Sequence, residues 1–323
     1  MSASDADFSQ KKYIVYYDEN YHSSWIYPTA TKKIVNYLTS EERGEKKFTK
    51  LSAKKLRKWM EITIEEKRAN ETVTVISQDI IPDVLAEDFS PSIILRSYLD
   101  AGGRIVWIGN IPFWLQGKDK RQIKETEQPW VEWGFMGIFS ILGLNAEFNY
   151  SPANRVTITR EGEAWKLRKE NSWYGTRPIR EGRETVKVLA ESSAKRPKMP
   201  QLLQTKEKEK ISVINFLSEI FSLLSLIITV IFAIASAVSS YFYTVQLEFQ
   251  YLTIAIIFAI LAMTLGVPKI YRKVRPKKYA NAWIKNFNPS FPNSGFVRIW
   301  DCQLYDVTQG MLEDLFAVAT HGN

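Results

Sequence analysis

One long apolar block constrains this sequence more than any other feature. Residues 211–268 contain no Lys or Arg and only two acidic residues, Glu219 and Glu248. A helix needs roughly 20 residues to cross a bilayer, so the run at about 218–242 is long enough, and the run at about 250–267 is near the lower limit. The block therefore predicts a transmembrane helical hairpin.

The cations beside the block predict its orientation and its lipid contacts. Under the positive-inside rule, basic flanks stay in the cytoplasm, so both chain termini are expected there. We expect an integral membrane protein with two spans in the lipid bilayer, and anionic lipid at the basic flanks. The net charge of +8 is concentrated there, which favours lipid over nucleic acid as the partner. The flanking cations are Lys206, Lys208, Lys210, Lys269, Arg272, Lys273, Arg275, Lys277 and Lys278.

The polar remainder of the chain predicts one α/β domain in two pieces. The last ~45 residues are too few to build a core of their own, so we expect them to pack onto the N-terminal part. The predicted divisions are a flexible tail (1–12), a cytoplasmic domain (13–194 plus 279–323), a linker (195–210), the hairpin (211–268) and a basic juxtamembrane segment (269–278).

Apolar strand patterns alternate with helical patterns in the N-terminal half. YIVYY (13–17), VTVIS (73–77) and RIVWIG (104–109) are typical of buried strands. Ser90 suits a helix N-cap, and Gly102 with Gly103 ends that helix. The alternation predicts a mainly parallel, doubly wound sheet with helices on both faces, interrupted by the transmembrane hairpin.

Several segments resemble the class I glutamine amidotransferase-like superfamily, in its non-catalytic and trehalose-utilisation-like branches. They are LRSYLDAGGRIVWIGN, LGLN, WYGTRPI with VKVLAES, and AWIKNF with GFVRIWD. The resemblance implies a flavodoxin-like three-layer fold with the hairpin inserted before the last strand. An amidotransferase needs a thiolate at a strand-to-helix elbow, but Asn110 follows IVWIG here. We therefore expect a pseudoenzyme, with no catalytic residues.

Polar residues follow four of the predicted strands. In open parallel sheets, ligands bind outside the carboxyl ends of the strands, so these residues are candidates for binding a cation, a sugar or a polar headgroup. The alternative is that they are solvated strand ends or helix caps. The candidate binding residues are Asp18, Glu19, His22, Asp79, Asn110 and Asp301.

Histidine and cysteine content limits the other chemistries. Two His residues and the single Cys302 cannot supply a His-based or Cys-based metal site, and no Walker A or GxGxxG sequence is present. We expect no cofactor and no metal. The predicted function is a membrane-anchored cytoplasmic protein that binds a small polar ligand or serves as a scaffold for a protein partner. Two alternatives stay open: a carboxylate-based hydrolase, with or without a divalent ion, and a ligand-gated membrane effector.

Overall fold

The computed structural model describes residues 8–88, 90–124, 126–144, 154–179, 185–193 and 278–322. They belong to one compact unit, composed of residues 1–194 and 277–323. The second unit, residues 195–276, lies outside the described residues.

An eight-stranded sheet forms the centre of the described unit, in the order β2-β1-β3-β5-β13-β12-β11-β9. Its strands are β1 (Tyr13–Tyr16), β2 (Thr49–Leu51), β3 (Val73–Ile76), β5 (Arg104–Ile108), β9 (Thr157–Ile158), β11 (Lys187–Ser193), β12 (Lys278–Lys285) and β13 (Gly295–Ile299). Two small sheets contain β4 (Ile81–Pro82), β6 (Leu115–Gly117) and β7 (Trp130–Glu132), and β8 (Asn154–Arg155) and β10 (Tyr174–Gly175).

Helices cover both faces of the central sheet. One face packs against α1 (Pro28–Thr39), α5 (Arg160–Ala164) and α6 (Gln309–Ala319), and the other against α2 (Ala53–Glu65), α3 (Ile94–Asp100) and α4 (Phe135–Leu142). β1, β3 and β5 are buried along their whole length, as parallel strands between two helical layers must be. Helix α3 begins later than predicted: its N-cap is Ile93, and Ser90 accepts a hydrogen bond from Ser92 N instead.

The predicted fold class is wrong, because the sheet is mixed. Five strands, from β2 to β13, are parallel, but β12 and β11 pair antiparallel with their neighbours, as does β9. Residues 286–294 join β12 to β13, whereas a parallel pair requires a crossover of about a dozen residues or more. That short connection forces the antiparallel arrangement, so the flavodoxin-like description is corrected with it.

The prediction of a transmembrane protein is also corrected. Among the described residues, no helix has the length and apolar character needed to cross a bilayer. This finding contradicts the predicted membrane-interrupted fold, the two spans and the membrane localisation with cytoplasmic termini. The hairpin predicted at 211–268 falls outside the described residues.

Two helices end at a lysine in the left-handed conformation, a position that usually holds glycine. Lys67 follows α2 with φ 55°, and Lys166 follows α5 with φ 68°. At α5, Lys166 N bonds to Glu163 O and Leu167 N bonds to Gly162 O, the paired hydrogen bonds of a Schellman motif. The same pair closes α2. Neither lysine is explained by backbone preference, which favours glycine at both sites.

Candidate functional site

The strand order of the sheet reverses between β1 and β3, and a doubly wound domain is expected to bind its ligand in the crevice there. Gln78, a buried residue just after β3, lies at this place. Its Oε1 accepts a hydrogen bond from Asp18 N at 2.8 Å, and its Nε2 donates to the carbonyls of Asp18 and Tyr21, each at 3.2 Å. The loop after β1 is thereby bonded to the end of β3 at the place where the crevice is expected.

Asp79 fastens the same loop further along. Its carboxylate accepts three hydrogen bonds: from Ser24 N at 2.8 Å, from Ser24 Oγ at 2.7 Å and from Trp25 N at 2.8 Å. Asp79 is fully buried. Burial raises the pKa of its carboxyl group, and the hydrogen bonds from Ser24 and Trp25 oppose that rise. Both carboxylate oxygens are engaged within the protein.

Asn110, at the end of β5, extends the bonding to a second loop. Its Nδ2 donates to Ser24 Oγ at 3.2 Å, and its Oδ1 accepts from Ile111 N at 2.7 Å and from Arg177 Nη1 at 2.6 Å. The Arg177 guanidinium also lies over the Trp25 ring, 3.5 Å from its centroid. Asn110 therefore links the loop that carries Trp25 to the segment that carries Arg177.

Asp301, after β13, completes the arrangement. Its carboxylate accepts hydrogen bonds from Trp173 Nε1 and Asn281 Nδ2, each at 2.8 Å, and its carbonyl accepts from Arg177 N at 3.2 Å. Burial raises the pKa of its carboxyl group, and the nearby Arg298 opposes the rise. We call Ser24, Asp79, Asn110, Arg177 and Asp301 the edge network.

Three other predicted residues lie outside this network. Asp18 is an internal cap: its carboxylate accepts from Asn20 N at 3.0 Å and from Ala53 N, at the start of α2, at 3.1 Å. Glu19 is exposed. His22 is partly buried with its ring edge-on to Trp130, and burial and Lys120 lower its pKa.

Ser24, Arg177 and Arg298 were missed by the sequence analysis. Arg298 is fully buried in β13, where it donates to the carbonyls of Arg177 at 2.9 Å and Gly109 at 3.3 Å. Burial lowers the pKa of Arg298 to about 10. The one available signal was an arginine inside the otherwise apolar strand GFVRI, which indicates a buried polar contact. Nothing local marks Ser24 or Arg177.

The loops held by the edge network present aromatic side chains outward. Tyr27 is 42% exposed and Tyr305 59% exposed, and their ring centroids lie 4.6 Å apart. Backbone hydrogen bonds from Tyr27 N to Leu304 O and from Leu304 N to Trp25 O join the two loops. We call Trp25, Tyr27, Arg177 and Tyr305 the edge surface.

The described residues contain no group of three or more His, Cys, Asp or Glu side chains placed to hold a metal ion. Cys302 is buried, and burial raises the pKa of its thiol to about 12, so it is protonated at neutral pH. A thiol in that state is a poor nucleophile.

Residues 11–195, more than half of the chain, match the model of the MJECL34 family. The chain belongs to the MJECL34 family. A relative in that family, the "Uncharacterized protein MJECL34" of Methanocaldococcus jannaschii, is 29% identical over 174 residues. The aligned part covers 53% of this chain and 52% of that protein, so the chain spans about half the length of the curated relative that it matches.

No solved structure matches the chain. The MJECL34 match includes β1, β3, β5 and the residues Ser24, Asp79, Asn110 and Arg177, but ends before Asp301. Neither printed name states a ligand or a reaction. The comparisons give no support to the amidotransferase-like assignment.

Proposed function

We propose that the described unit is a binding scaffold for a protein partner, which docks on the edge surface. One observation carries the proposal. Asp79, Asn110 and Asp301 stand where a ligand is expected, but they bond to the loops that present the edge surface. Their polar groups therefore position aromatic side chains.

The residue types of the edge surface suit a protein interface. Tyr, Trp and Arg are the residues most enriched among interface hot spots. The Arg177 guanidinium already lies over the Trp25 ring, and the Tyr27 ring contacts the Tyr305 ring with the two planes tilted by 37°. Because these side chains are ordered before binding, docking on them costs less conformational entropy.

The rival function, a carboxylate-based hydrolase, is less well supported. A general acid or base must lie within hydrogen-bond reach of the proton that it transfers. Both oxygens of Asp79 accept hydrogen bonds from the loop above it, and those of Asp301 accept from Trp173 and Asn281. If the purified chain hydrolyses a substrate from a broad ester and phosphoester panel, and D79N abolishes this while the fold persists, the hydrolase function is correct.

Site-specific photo-crosslinking in cells of the source organism tests the scaffold directly. A benzophenone side chain is placed at Tyr27 or at Tyr305, and as a control at Phe139, an equally exposed aromatic on α4. We expect an adduct to the same protein from positions 27 and 305 and none from position 139. Adducts from position 139 alone, or from none of the three, would contradict the proposal.

The partner identified in that way then allows an affinity test. We expect Y27A and Y305A each to weaken binding by about 2 kcal/mol, which is roughly thirtyfold, because hot-spot truncations reach that size. The matched control F139A should bind as the wild type does. Equal losses for all three variants would mean that the edge surface is not the docking site.

A further inference from the structure

Within the described unit, a groove lies near the start of β5, at the opposite end of the parallel strands from the edge surface. It has a volume of about 650 Å³ and runs between α6 and residues 163–168. Volumes of about 300 to 1,000 Å³ are typical of small-molecule sites. Leu167, Phe316 and Ala317 supply apolar lining, and Lys166 and His321 supply groups that can donate hydrogen bonds.

The carboxylates that line the groove are already paired. Glu163 forms an ion pair with Lys169. Arg168 binds two acids at once, Glu313 at 2.9 Å and Asp314 at 2.6 Å. Each carboxylate has a cationic partner, but Lys169 and Arg168 supply two positive charges against three negative ones, and the charge of Lys166 offsets the one that remains.

Lys166 is different from the other charged groups of the groove. It is exposed, and it forms no ion pair with any residue that the structure describes. It also occupies the left-handed position at the end of α5, where glycine would be less strained. Lys67 occupies the matching position after α2 but lines no part of the groove. Lys166 can therefore contact a ligand in the groove, whereas Lys67 cannot.

His321 lines the same groove as Lys166. The imidazole lies over Trp165, with 4.6 Å between centroids. Arg104 lies on the same indole, 5.5 Å from the Trp165 ring centroid, and donates to Ala319 O at the end of α6. Lys46 approaches Thr320 O. These cations cover the negative end of the α6 dipole, which would otherwise repel an anion.

We propose that this groove binds a small organic anion, whose charged group lies against Lys166 and His321 and whose apolar part lies on Phe316 and Ala317. The ligand class is a carboxylate or phosphate attached to an apolar group. This proposal is independent of the edge surface and of the scaffold function.

Titration calorimetry on the full chain tests the proposal with two probes of similar shape and opposite charge, phenyl phosphate and benzylamine. We expect phenyl phosphate to bind at least about tenfold more tightly than benzylamine. K166A should weaken phenyl phosphate by about tenfold, the size expected for loss of a charged hydrogen bond, and K67A should leave it unchanged.

Each other result overturns the proposal. Benzylamine binding as tightly as phenyl phosphate would mean that the carboxylates control the groove. Equal effects of K166A and K67A would mean that only general surface charge attracts the probe. Binding of neither probe would mean that the groove holds no ligand of this class.

Discussion

Polar residues have different roles at the two ends of the parallel strands. We call the end where these strands finish the carboxyl edge and the end where they begin the amino edge. At the carboxyl edge, Asp79, Asn110 and Asp301 bond to loops of the same unit and leave aromatic rings facing outward. At the amino edge, Lys166 and His321 face a groove. The rule that ligands bind at the carboxyl ends of parallel strands identifies where polar residues gather, but not what they bind. Here, loops of the same unit occupy the hydrogen-bonding groups that a ligand would otherwise use, so these groups hold the loops in place. We call this arrangement the clamp.

Each edge contains one buried arginine that donates to main-chain carbonyls. Arg104 donates to Asn293 O at 2.7 Å and to Ala319 O at 3.0 Å. Arg298 donates to Arg177 O at 2.9 Å and to Gly109 O at 3.3 Å. Burial lowers the pKa of both to about 10. Arg298 lies close to a buried carboxylate, that of Asp301.

The largest expected effect comes from replacing Arg298. R298M leaves two carbonyls without donors and Asp301 without its neighbouring positive charge, so we expect a loss of about 3–5 kcal/mol in unfolding free energy. Urea denaturation measures it. R104M leaves Arg298 in place beside Asp301, so it should cost less. If R104M costs as much or more, the carboxyl edge is not the more tightly clamped of the two.

D79N tests the clamp itself. The amide can accept at only one atom, so one or more of the donors on Ser24 and Trp25 loses its partner, and we expect a loss of about 1–3 kcal/mol. Urea denaturation again provides the measurement. E19Q, a change at an exposed acid on the same loop, should shift stability by less than about 0.5 kcal/mol. Equal stability of D79N and wild type would show that Asp79 does not hold the loop.

Lowering the pH should change the free energy of unfolding in opposite directions through the titratable groups of the two edges. Burial, Arg104 and Lys166 lower the pKa of His321, so the unfolded chain takes up that proton first, and His321 removes stability as the pH falls below about 6.5. Burial raises the pKa of Asp79 and Asp301, so the folded state takes up their protons first, and they add stability as the pH falls through those raised values.

Urea midpoints between about pH 8 and about pH 4 separate the two contributions. H321Q should reduce the loss of stability below about pH 6.5, and D79N should reduce the gain at lower pH. Identical pH profiles for H321Q and wild type would contradict the account of the amino edge.

The smallest expected effect concerns the two lysines in left-handed conformation. K67G and K166G each relieve a strained backbone, so each should raise the unfolding free energy by up to about 1 kcal/mol, measured by urea denaturation. Equal gains in unfolding free energy would mean that Lys67 and Lys166 differ only in ligand binding, not in their contribution to stability. A loss of stability in K166G would instead give Lys166 a structural role.

Three strands and the helix that ends before Gly102 could be predicted from the sequence because their signals are local. YIVYY, VTVIS and RIVWIG contain the buried strands β1, β3 and β5. The direction of β12 was not predicted, because it depends on pairing with partners far along the chain. The length of the 286–294 connection was the available clue, and it was not used.

The candidate site was predictable only in part. Asp79, Asn110 and Asp301 gather at one edge because strand ends do so in any parallel sheet. Their partners Ser24 and Arg177 lie on loops far away in sequence, and no periodicity relates a loop to the strand that it crosses. The edge surface was missed for the same reason: Tyr27 and Tyr305 are 278 positions apart but share one contact.

Amide hydrogen exchange on the free chain tests the closed carboxyl edge most directly. The N–H groups of Ser24, Trp25 and Arg177 bond to Asp79 or Asp301. We predict that all three are protected in the wild type, and that D79N exposes those of Ser24 and Trp25 while Arg177 stays protected. Exchange of Ser24 and Trp25 in the wild type at the rate of an unstructured loop would show that the edge is open, and would contradict the account.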